Sequence, residues 1–393
     1  MTQNNNIPQG YKKTEIGIIP QEWEVKRLGA CFSIGHGRDY KHLSNGDIPV
    51  YGSGGIICYV GSFLHDGETV CIGRKGTINK PFYYNGPIWT VDTLFYTHSF
   101  QSVLPRYIGY LFDSIDWMRY NEATGVPSLT AKTISNIKKA VPPMGEQRKI
   151  AEILGVWDKA IEKQSRLIER LEVRKRALMQ RLLTGRVRLN GFTTPWQKIK
   201  LGEIGKFDKG VGVPKEKIVS EGCKAITYGE IYTKYNYVIN RFASYIDEET
   251  ARESKEISSG TILFAGSGET LEDIGKCVAF IDEGVAYAGG DIIIFKPTIE
   301  VDSLVLSYIL NSPSAIKQKR KYGQGHSVVH IYQKDLARIE FELPSLPEQK
   351  AIAEVLTAAD NEIATHCKKL DALRLQKRGL MQQLLTGKTR VKI

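Results

Sequence analysis

The chain has 393 residues, of which 42% are hydrophobic and 25% are charged. Since single domains rarely exceed about 250 residues, this length predicts two or three soluble domains. The sequence has no run of the roughly 18 apolar residues that a membrane-spanning helix needs, so no membrane association is expected. Lysine and arginine exceed aspartate and glutamate by 11, and this excess favours a polyanionic partner.

Six cysteines are scattered along the chain without a Cys-x-x-Cys pair. Neither a disulfide framework nor a zinc ribbon is therefore expected. Residues 1–6 carry neither the basic region nor the apolar segment of a secretory signal. Both features favour a reducing, cytoplasmic location.

The clearest pattern is an internal repeat, in which residues 146–185 recur at an offset of 202 with 18 identities in 40 positions and no gap. The identities include a Glu-Gln pair, an aspartate, a Lys-Arg pair and a Leu-Leu-Thr-Gly sequence, namely Glu146-Gln147 and Glu348-Gln349, Asp158 and Asp360, Lys175-Arg176 and Lys377-Arg378, and residues 182–185 and 384–387. Such self-similarity predicts one structural unit used twice.

Each copy predicts one long helix, with prolines before it and a capping glycine, Gly185 or Gly387, after it. Apolar residues recur at heptad positions a and d, which predicts a coiled-coil seam. The predicted seam consists of Ile150, Leu154, Trp157, Ile161, Ile168, Leu171, Leu178 and Leu182 in the first copy, and of Ile352, Leu356, Ile363, Leu370, Leu373, Leu380 and Leu384 in the second. Polar residues interrupt both seams at equivalent places, Gln164 with His366 and Lys175 with Lys377, and are expected to fix the register. The alternative is two unrelated amphipathic helices, each packing on its own domain.

Two globular stretches, about 20–145 and 195–347, precede the helices. Both begin with a tryptophan followed five residues later by Leu-Gly, at Trp23 and at Trp196. Both also contain short β-branched runs, such as 68–72 and 261–264, and later a helical pattern. Mixed α/β domains are therefore predicted.

The two predicted helices, 146–188 with +6 and 348–392 with +4, hold ten of the eleven net positive charges. This charge fits either a basic strut beside a phosphate backbone or an ordinary solvated helix face. In the globular stretches, the candidates for nucleic-acid contacts are local basic groups, several of them beside glycines that would let a loop approach a groove. They are Arg38, Lys41, Arg74 and Lys75 in the first stretch, and Lys215, Lys217, Lys317, Lys319, Arg320 and Lys321 in the second. The alternative is a set of exposed basic loops without a ligand.

No catalytic, cofactor or metal motif is convincing. Gly387-Lys388-Thr389 has glutamine where a phosphate-binding loop needs its first glycine, and Asn79-Lys80-Pro81-Phe82 differs from the adenine-methyltransferase motif without an accompanying cofactor motif. The sequence therefore predicts a recognition protein without catalytic residues, cofactor or metal. Two rival hypotheses are a DNA nuclease of unfamiliar motif and a scaffold that binds proteins only.

Taken together, these motifs resemble the DNA specificity subunits of type I restriction–modification enzymes. The resemblance rests on residues 11–23, on Pro143-Met144-Gly145-Glu146-Gln147 and Pro344–Gln349, and on the two Leu-Leu-Thr-Gly ends. It implies a mixed α+β fold with two target-recognition domains, separated by two long helices that form an antiparallel coiled coil in a pseudo-twofold molecule. The expected divisions are an N-terminal segment 1–19, recognition domains 20–145 and 191–347, and helices 146–190 and 348–393.

The resemblance also implies the partners. Each domain would read one half of a split double-stranded DNA target, two methyltransferase subunits that bind S-adenosylmethionine would dock on the helices, and two restriction motor subunits would join them. A helix of about 36 residues is roughly 54 Å long, which spans on the order of 15 base pairs, so the helices would set the unread spacer. The specificity subunit of a fused restriction–methylation enzyme of another type is an alternative that the sequence does not separate.

Overall fold

A computed structural model describes residues 7–325 and 328–392. Residues 1–6, which begin the predicted N-terminal segment, and His326, Ser327 and Ile393 lie outside the described residues. The described chain divides into two compact units. Of the described residues, unit 1 contains 7–166 and 367–392, and unit 2 contains 167–325 and 328–366.

Unit 1 is a mixed α/β unit. Its strands are β1 (Tyr11–Thr14), β2 (Gly17–Pro20), β3 (Glu24–Arg27), β4 (Ser33–His36), β5 (Asn45–Gly52), β6 (Gly55–Val60), β7 (Glu68–Gly73), β8 (Phe82–Asn85), β9 (Trp89–Thr90), β10 (Leu94–His98) and β11 (Lys138–Val141). Its helices are α1 (Pro105–Asp113) and α2 (Ala131–Asn136), with short 3-10 turns at Leu28–Ala30 and Trp117–Tyr120, and it also holds the first part of the long helix α3 (Met144–Leu182).

Unit 2 has the same mixed character. Its strands are β12 (Gln197–Lys200), β13 (Gly205–Lys209), β14 (Ile218–Val219), β15 (Cys223–Ile226), β16 (Ser244–Ile246), β17 (Lys255–Ile257), β18 (Thr261–Ala265), β19 (Ser267–Gly268), β20 (Cys277–Phe280), β21 (Ala286–Ala288), β22 (Ile292–Pro297), β23 (Val329–His330) and β24 (Glu340–Leu343). Its helices are α4 (Tyr228–Thr233), α5 (Glu248–Glu253), α6 (Ser303–Leu310), α7 (Pro313–Tyr322) and α8 (Gln333–Leu336), with 3-10 turns at Leu201–Glu203 and Lys215–Lys217, and it also holds the first part of the long helix α9 (Leu346–Leu384).

The two units repeat one strand framework. An antiparallel sheet has the order β4-β10-β7-β8 in unit 1 and β13-β22-β18-β20 in unit 2. A second sheet contains a parallel pair, β5 with β9 in unit 1 and β15 with β21 in unit 2. A strand near the start of each globular stretch pairs with the strand before the long helix, β3 with β11 and β12 with β24. The fold is therefore a mixed α/β framework used twice, as the repeat predicts.

The continuous apolar runs of the sequence are central strands that are buried on both faces. In β18, Ile262 and Phe264 belong to the core beside the helices, and Leu263 and Ala265 belong to a second core on the opposite face. Successive side chains of a strand point to opposite faces, so burial on both faces requires an uninterrupted apolar sequence. β22 follows the same pattern.

The long helices α3 and α9 each have 39 residues and end within their Leu-Leu-Thr-Gly sequences. The threonine hydroxyls donate back to carbonyl oxygens four residues earlier, Thr184 Oγ1 to Gln180 at 2.6 Å and Thr386 Oγ1 to Gln382 at 2.5 Å. Both capping glycines have positive φ, +65° and +71°, a conformation that glycine adopts without strain. A Cβ at Gly387 would also lie 2.5 Å from Pro20.

The helices pack against each other in antiparallel fashion. In unit 1 the first part of α3 shares a core with the end of α9, and in unit 2 the end of α3 shares a core with the start of α9. None of the predicted seam residues is exposed, and Ile150, Leu154, Ile352 and Leu356 are almost completely buried. Burial of each such aliphatic side chain stabilises the fold by about 1.5–3 kcal/mol.

Two equivalent ion pairs, which we call the register pairs, cross the helix seam. Lys377 Nζ donates to Asp158 Oδ1 at 2.5 Å in unit 1, and Lys175 Nζ donates to Asp360 Oδ1 at 2.5 Å in unit 2. All four residues lie in the two repeated segments, which are 202 residues apart. The same ion pair therefore forms once in each unit. A one-turn slip of either helix would separate both pairs.

A buried tyrosine completes each register pair. Tyr110 Oη donates to Asp158 Oδ2 in unit 1, and Tyr308 Oη donates to Asp360 Oδ2 in unit 2, both at 2.5 Å. Burial, and then the neighbouring aspartate, raise the pKa of both tyrosine hydroxyls, so that they remain protonated donors. The tyrosines lie on α1 and α6, and the register pairs therefore also fix each globular stretch to the helices.

We expect Lys175→Met to lower the free energy of unfolding by about 2 kcal/mol, because Asp360 is left in a half-buried site without its cationic partner. Urea denaturation measures this value. The double variant Lys175→Met/Asp360→Asn should recover part of the loss. As a matched control, Lys163→Met on the exposed face of α3 should change stability by no more than about 0.5 kcal/mol. Equal losses in the Lys175 and Lys163 variants would contradict the role of the register pairs.

Candidate nucleic-acid interface

The start of each long helix carries a buried Glu-Gln pair that connects it to the globular stretch. In unit 1, Glu146 is fully buried and accepts hydrogen bonds from Trp23 Nε1 at 2.8 Å and from Arg390 Nε at 2.8 Å. A carboxylate is stabilised in the first turn of a helix, and a buried carboxylate needs such donors. The hydrogen bond to Glu146 is also the main cause that raises the pKa of Arg390.

Unit 2 contains the same cluster. Glu348 accepts hydrogen bonds from Trp196 Nε1 at 3.0 Å and from Arg188 Nε at 2.5 Å. Next to the glutamates, Gln147 accepts from the backbone N–H of Leu104 at 2.9 Å, and Gln349 does so from Asp302 at 2.8 Å. These clusters explain both repeated tryptophans and both Glu-Gln pairs.

The sequence analysis missed the two arginines, Arg188 and Arg390. They also lie 202 residues apart, so an alignment extended three residues beyond Gly185 would have found them. It also missed Tyr110 and Tyr308, because they lie outside the repeated segment and no residue pattern connects them to an aspartate about 50 residues away.

The loop that carries Arg38 and Lys41 and the loop that carries Arg74 and Lys75 meet at one edge of the β4-β10-β7-β8 sheet. β10 runs antiparallel to both β4 and β7, so the carboxyl ends of those two strands flank its start. The backbone N–H of Arg38 donates to Thr90 O at 2.8 Å, and that of Arg74 donates to Thr93 O at 2.8 Å. Arg38 and Arg74 therefore lie on either side of one segment. We call residues 37–41, 74–76 and 90–93 the charged edge.

All four predicted basic residues of the charged edge are exposed: Arg38, Lys41, Arg74 and Lys75. Arg74 donates from its guanidinium to the backbone oxygen of Asp92 at 3.2 Å. Within the described residues, no hydrogen bond or ion pair engages the charged groups of Arg38, Lys41 or Lys75. Asp39 and Asp92 are also exposed here. The edge therefore offers cationic hydrogen-bond donors for phosphates and guanine, together with carboxylate acceptors for cytosine.

Gly37 makes the tight path of the charged edge possible. A Cβ at this position would lie 1.9 Å from Val91 O, which no side chain tolerates. The glycine thus lets the loop after β4 cross directly over the segment before β10, and it brings Arg38 to the surface of the edge.

The matching edge of unit 2 has the same backbone but different side chains. Gly210 donates to Ile292 O at 2.8 Å, Val211 to Ala288 O at 3.0 Å and Gly266 to Asp291 O at 2.7 Å. These bonds correspond to those of the charged edge, with Val211 in the place of Arg38 and Gly266 in the place of Arg74. Beside them, Ser267 Oγ lies 3.0 Å from His330 Nδ1.

The basic residues predicted in unit 2 fall into different environments. Lys215 and Lys217 are exposed in the 3-10 turn that follows the matching edge, and Lys317 and Lys321 are exposed on α7. Arg320, also exposed, forms an ion pair with Glu272.

Lys319 lies in the interior of unit 2 and is not presented to a ligand. It is 1% exposed and donates from Nζ to Gly275 O at 2.6 Å, and burial lowers the pKa of its ammonium group. The helical period places Ala315 and Lys319 on the same buried face of α7. We therefore leave Lys319 out of the candidate contacts with nucleic acid.

Two further features of the described chain bear on function. No helix within residues 7–325 and 328–392 is both long and apolar enough to cross a bilayer. No group of three or more histidine, cysteine, aspartate or glutamate side chains in these residues is arranged to hold a metal ion.

Comparison with known proteins places these features in a family. The family model described as the type I restriction modification DNA specificity domain matches twice, at residues 20–173 and 193–375. In Methanocaldococcus jannaschii, the MjaVIII type I restriction enzyme specificity subunit is 28% identical over 69% of this chain and 66% of its own length. The putative MjaX specificity subunit of the same organism is 27% identical over 98% of this chain and 97% of its own length.

Solved structures share the fold. The S subunit of a type I restriction–modification system from M. genitalium has a TM-score of 0.61 at 15% identity, over 98% of both chains. A chain from a structural study of complex assembly and conformational transition of the type I R-M system has a TM-score of 0.58 at 15% identity, over 94% of this chain and 99% of that chain. With two matched domains that cover most of its length, this chain belongs to the family of type I restriction–modification DNA specificity subunits.

Proposed function

We propose that this chain is the non-catalytic DNA-reading subunit of a type I restriction–modification complex in the cytoplasm. Each recognition domain reads one half of a bipartite double-stranded target, and the paired helices set the number of base pairs between the halves. The observation that carries the proposal is that two units repeat one framework but present different side chains at the same sheet edge.

The difference between the edges fits two readers of different sequences. The charged edge presents Arg38, and arginine pairs best with guanine, whereas the matching position in unit 2 is Val211, which suits apolar contacts. A shared framework with two different edges is the arrangement that a target with two unlike halves requires.

The proposed recognition domains are residues 20–145 and 191–347, and the proposed helical segments are 146–190 and 348–393. The N-terminal segment 1–19 would support the first domain. Its hairpin β1-β2 contacts the end of α9, where Tyr11 Oη donates to Gly387 O at 2.9 Å, and Ile19 joins the core of unit 1.

Two methyltransferase subunits, which would hold S-adenosylmethionine, and two restriction motor subunits are the proposed partners. The long helices offer apolar side chains away from the seam, including Val156, which is 67% exposed, and Leu375, which is 63% exposed. We propose these exposed aliphatic groups as contacts with the partner subunits. Leu183, another apolar residue outside the seam, lies in the core of unit 2 and is not part of this surface.

The test of the proposal is a domain exchange. Replacement of residues 20–145 by the same span of another family member should change one half of the methylated sequence and leave the other half intact, because the two readers share no residues. Mapping of methylated sites in a genome on which the chain is expressed with its methyltransferase partner measures this. A change in both halves would exclude two independent readers, and DNA cleavage or methylation by the purified chain alone would exclude a non-catalytic role.

We expect Arg38→Ala and Lys75→Ala each to weaken specific DNA binding by the partner-assembled complex by about 5- to 150-fold, since a base contact contributes about 1–3 kcal/mol. Lys13→Ala removes an exposed lysine from the β1-β2 hairpin and should change the affinity by about twofold or less. Titration of fluorescent target DNA at fixed salt measures all three. Equal affinities of the three variants would show that the charged edge does not contact DNA.

The helices can be tested as a ruler. Insertion of one heptad into both helices keeps the apolar seam in place and adds about 10.5 Å at 1.5 Å per residue, or roughly three base pairs. The unread spacer in the methylated sequence should lengthen by that amount while both half-sites stay the same. As a control, a two-residue insertion, which rotates the residues that follow it by about 200°, should turn the seam outward and destabilise the protein. A folded, active heptad variant that still methylates the original spacing would contradict the ruler.

A further inference from the structure

The hairpin formed by β5 and β6 reaches the charged edge with its tip. The backbone N–H of Val91 donates to Tyr51 O at 3.0 Å, which fixes the end of β5 against the edge. A Cβ at Gly76 would lie 3.0 Å from Ser53 Oγ, so the turn of the hairpin lies directly beside Arg74 and Lys75. The tip and the basic side chains therefore form one continuous surface.

Ile57 is the apolar side chain of this tip that faces the charged edge. A Cβ at Gly52 would lie 3.0 Å from Ile57 Cδ1 and 3.5 Å from Val91 Cγ2, so Ile57 packs over Gly52 next to Val91. Half of Ile57 remains exposed. It is also the extra residue of a β-bulge, since Val50 pairs with Cys58 and Tyr51 with Ile56. Bulges redirect side chains beside functional sites.

Unit 2 places a different element at the corresponding point. Gly289 donates to Ile226 O at 2.9 Å, the equivalent of the bond from Val91 to Tyr51. The chain then enters helix α4 instead of a hairpin, and Tyr228 at its start is 41% exposed. The two units thus differ in this segment, although the strands on which it is built are equivalent.

We propose that the tip of the β5-β6 hairpin is a specificity-determining element of unit 1 and that Ile57 contacts the 5-methyl group of a thymine in the major groove. This inference rests on the proposed DNA-reading function. A two-stranded β-ribbon fits the major groove, and apolar side chains recognise thymine through its methyl group. The adjacent Arg38, Lys41, Arg74 and Lys75 supply positive charge that draws this surface to the DNA.

The proposed contact predicts that the affinity of the complex for DNA depends on the 5-methyl group of one thymine. The half-site read by unit 1 should contain a T·A pair, and replacement of that thymine by uracil removes only the 5-methyl group. The wild-type complex of this chain with its methyltransferase partner should bind the uracil probe about fivefold more weakly than the thymine probe. Ile57→Ser should bind both probes equally, and Ile57→Val, which keeps an aliphatic group, should retain most of the preference for thymine.

Ile18→Ser is the matched control. Ile18 is the same residue type in the same unit and is 47% exposed, but it lies on the β1-β2 hairpin away from the charged edge. This variant should keep the wild-type preference for thymine. The far-ultraviolet circular dichroism of all three variants should match the wild type, and retained binding of the unchanged probe by Ile57→Val shows that the hairpin folds when residue 57 is altered.

Three results would overturn the inference while the proposed function stands: a unit 1 half-site without thymine, a wild-type complex that binds its target specifically but ignores uracil replacement, or an Ile57→Ser complex that keeps the thymine preference. Loss of the methyltransferase subunit from the Ile57→Ser complex, with the thymine preference intact, would identify the tip as a protein-docking surface and would also refute it. Failure of the wild-type complex to bind any sequence selectively would refute the proposed function itself.

Discussion

The structure depends on the requirement that two antiparallel helices meet in one register. Apolar seams alone repeat every seven residues and allow a slip. The register pairs, Asp158 with Lys377 and Lys175 with Asp360, remove that freedom, because an unpaired charge in a half-buried seam is costly. Tyr110 and Tyr308 join the same aspartates and thereby connect the globular stretches to the helices.

The constraint explains which residues repeat and which do not. Glu146 and Glu348 lie in the first turns of the helices and each accept hydrogen bonds from a tryptophan and an arginine, so the repeated residues include those that attach a globular stretch to a helix. The charged edge and the matching edge of unit 2 take no part in these attachments. There Arg38 and Val211 occupy equivalent backbone positions, and side-chain chemistry can differ without any cost to the framework.

Much of this organisation could be predicted from the sequence, because it depends on patterns among residues that are close together in the chain. The helices, their seam residues and their capping glycines follow from heptad spacing and from the 202-residue offset, and the buried strands follow from uninterrupted apolar runs such as 261–264. Lys319 shows what the sequence could not predict. A lysine within the basic run Lys317–Lys321 has the composition of a surface residue, and only the packing of α7 turns it inward to donate to Gly275 O.

The sequence by itself determined the family, the repeated mixed α/β architecture and the helical seams, because these depend on periodicity and on residues close together in the chain. Only the tertiary structure decided which distant loops share a surface. Arg38 and Arg74 meet because β4 and β7 flank the same strand, and Ile57 joins them because a bulge turns it over Gly52. Hydrogen bonding between strands far apart in sequence sets these neighbours, and no local residue pattern encodes that pairing.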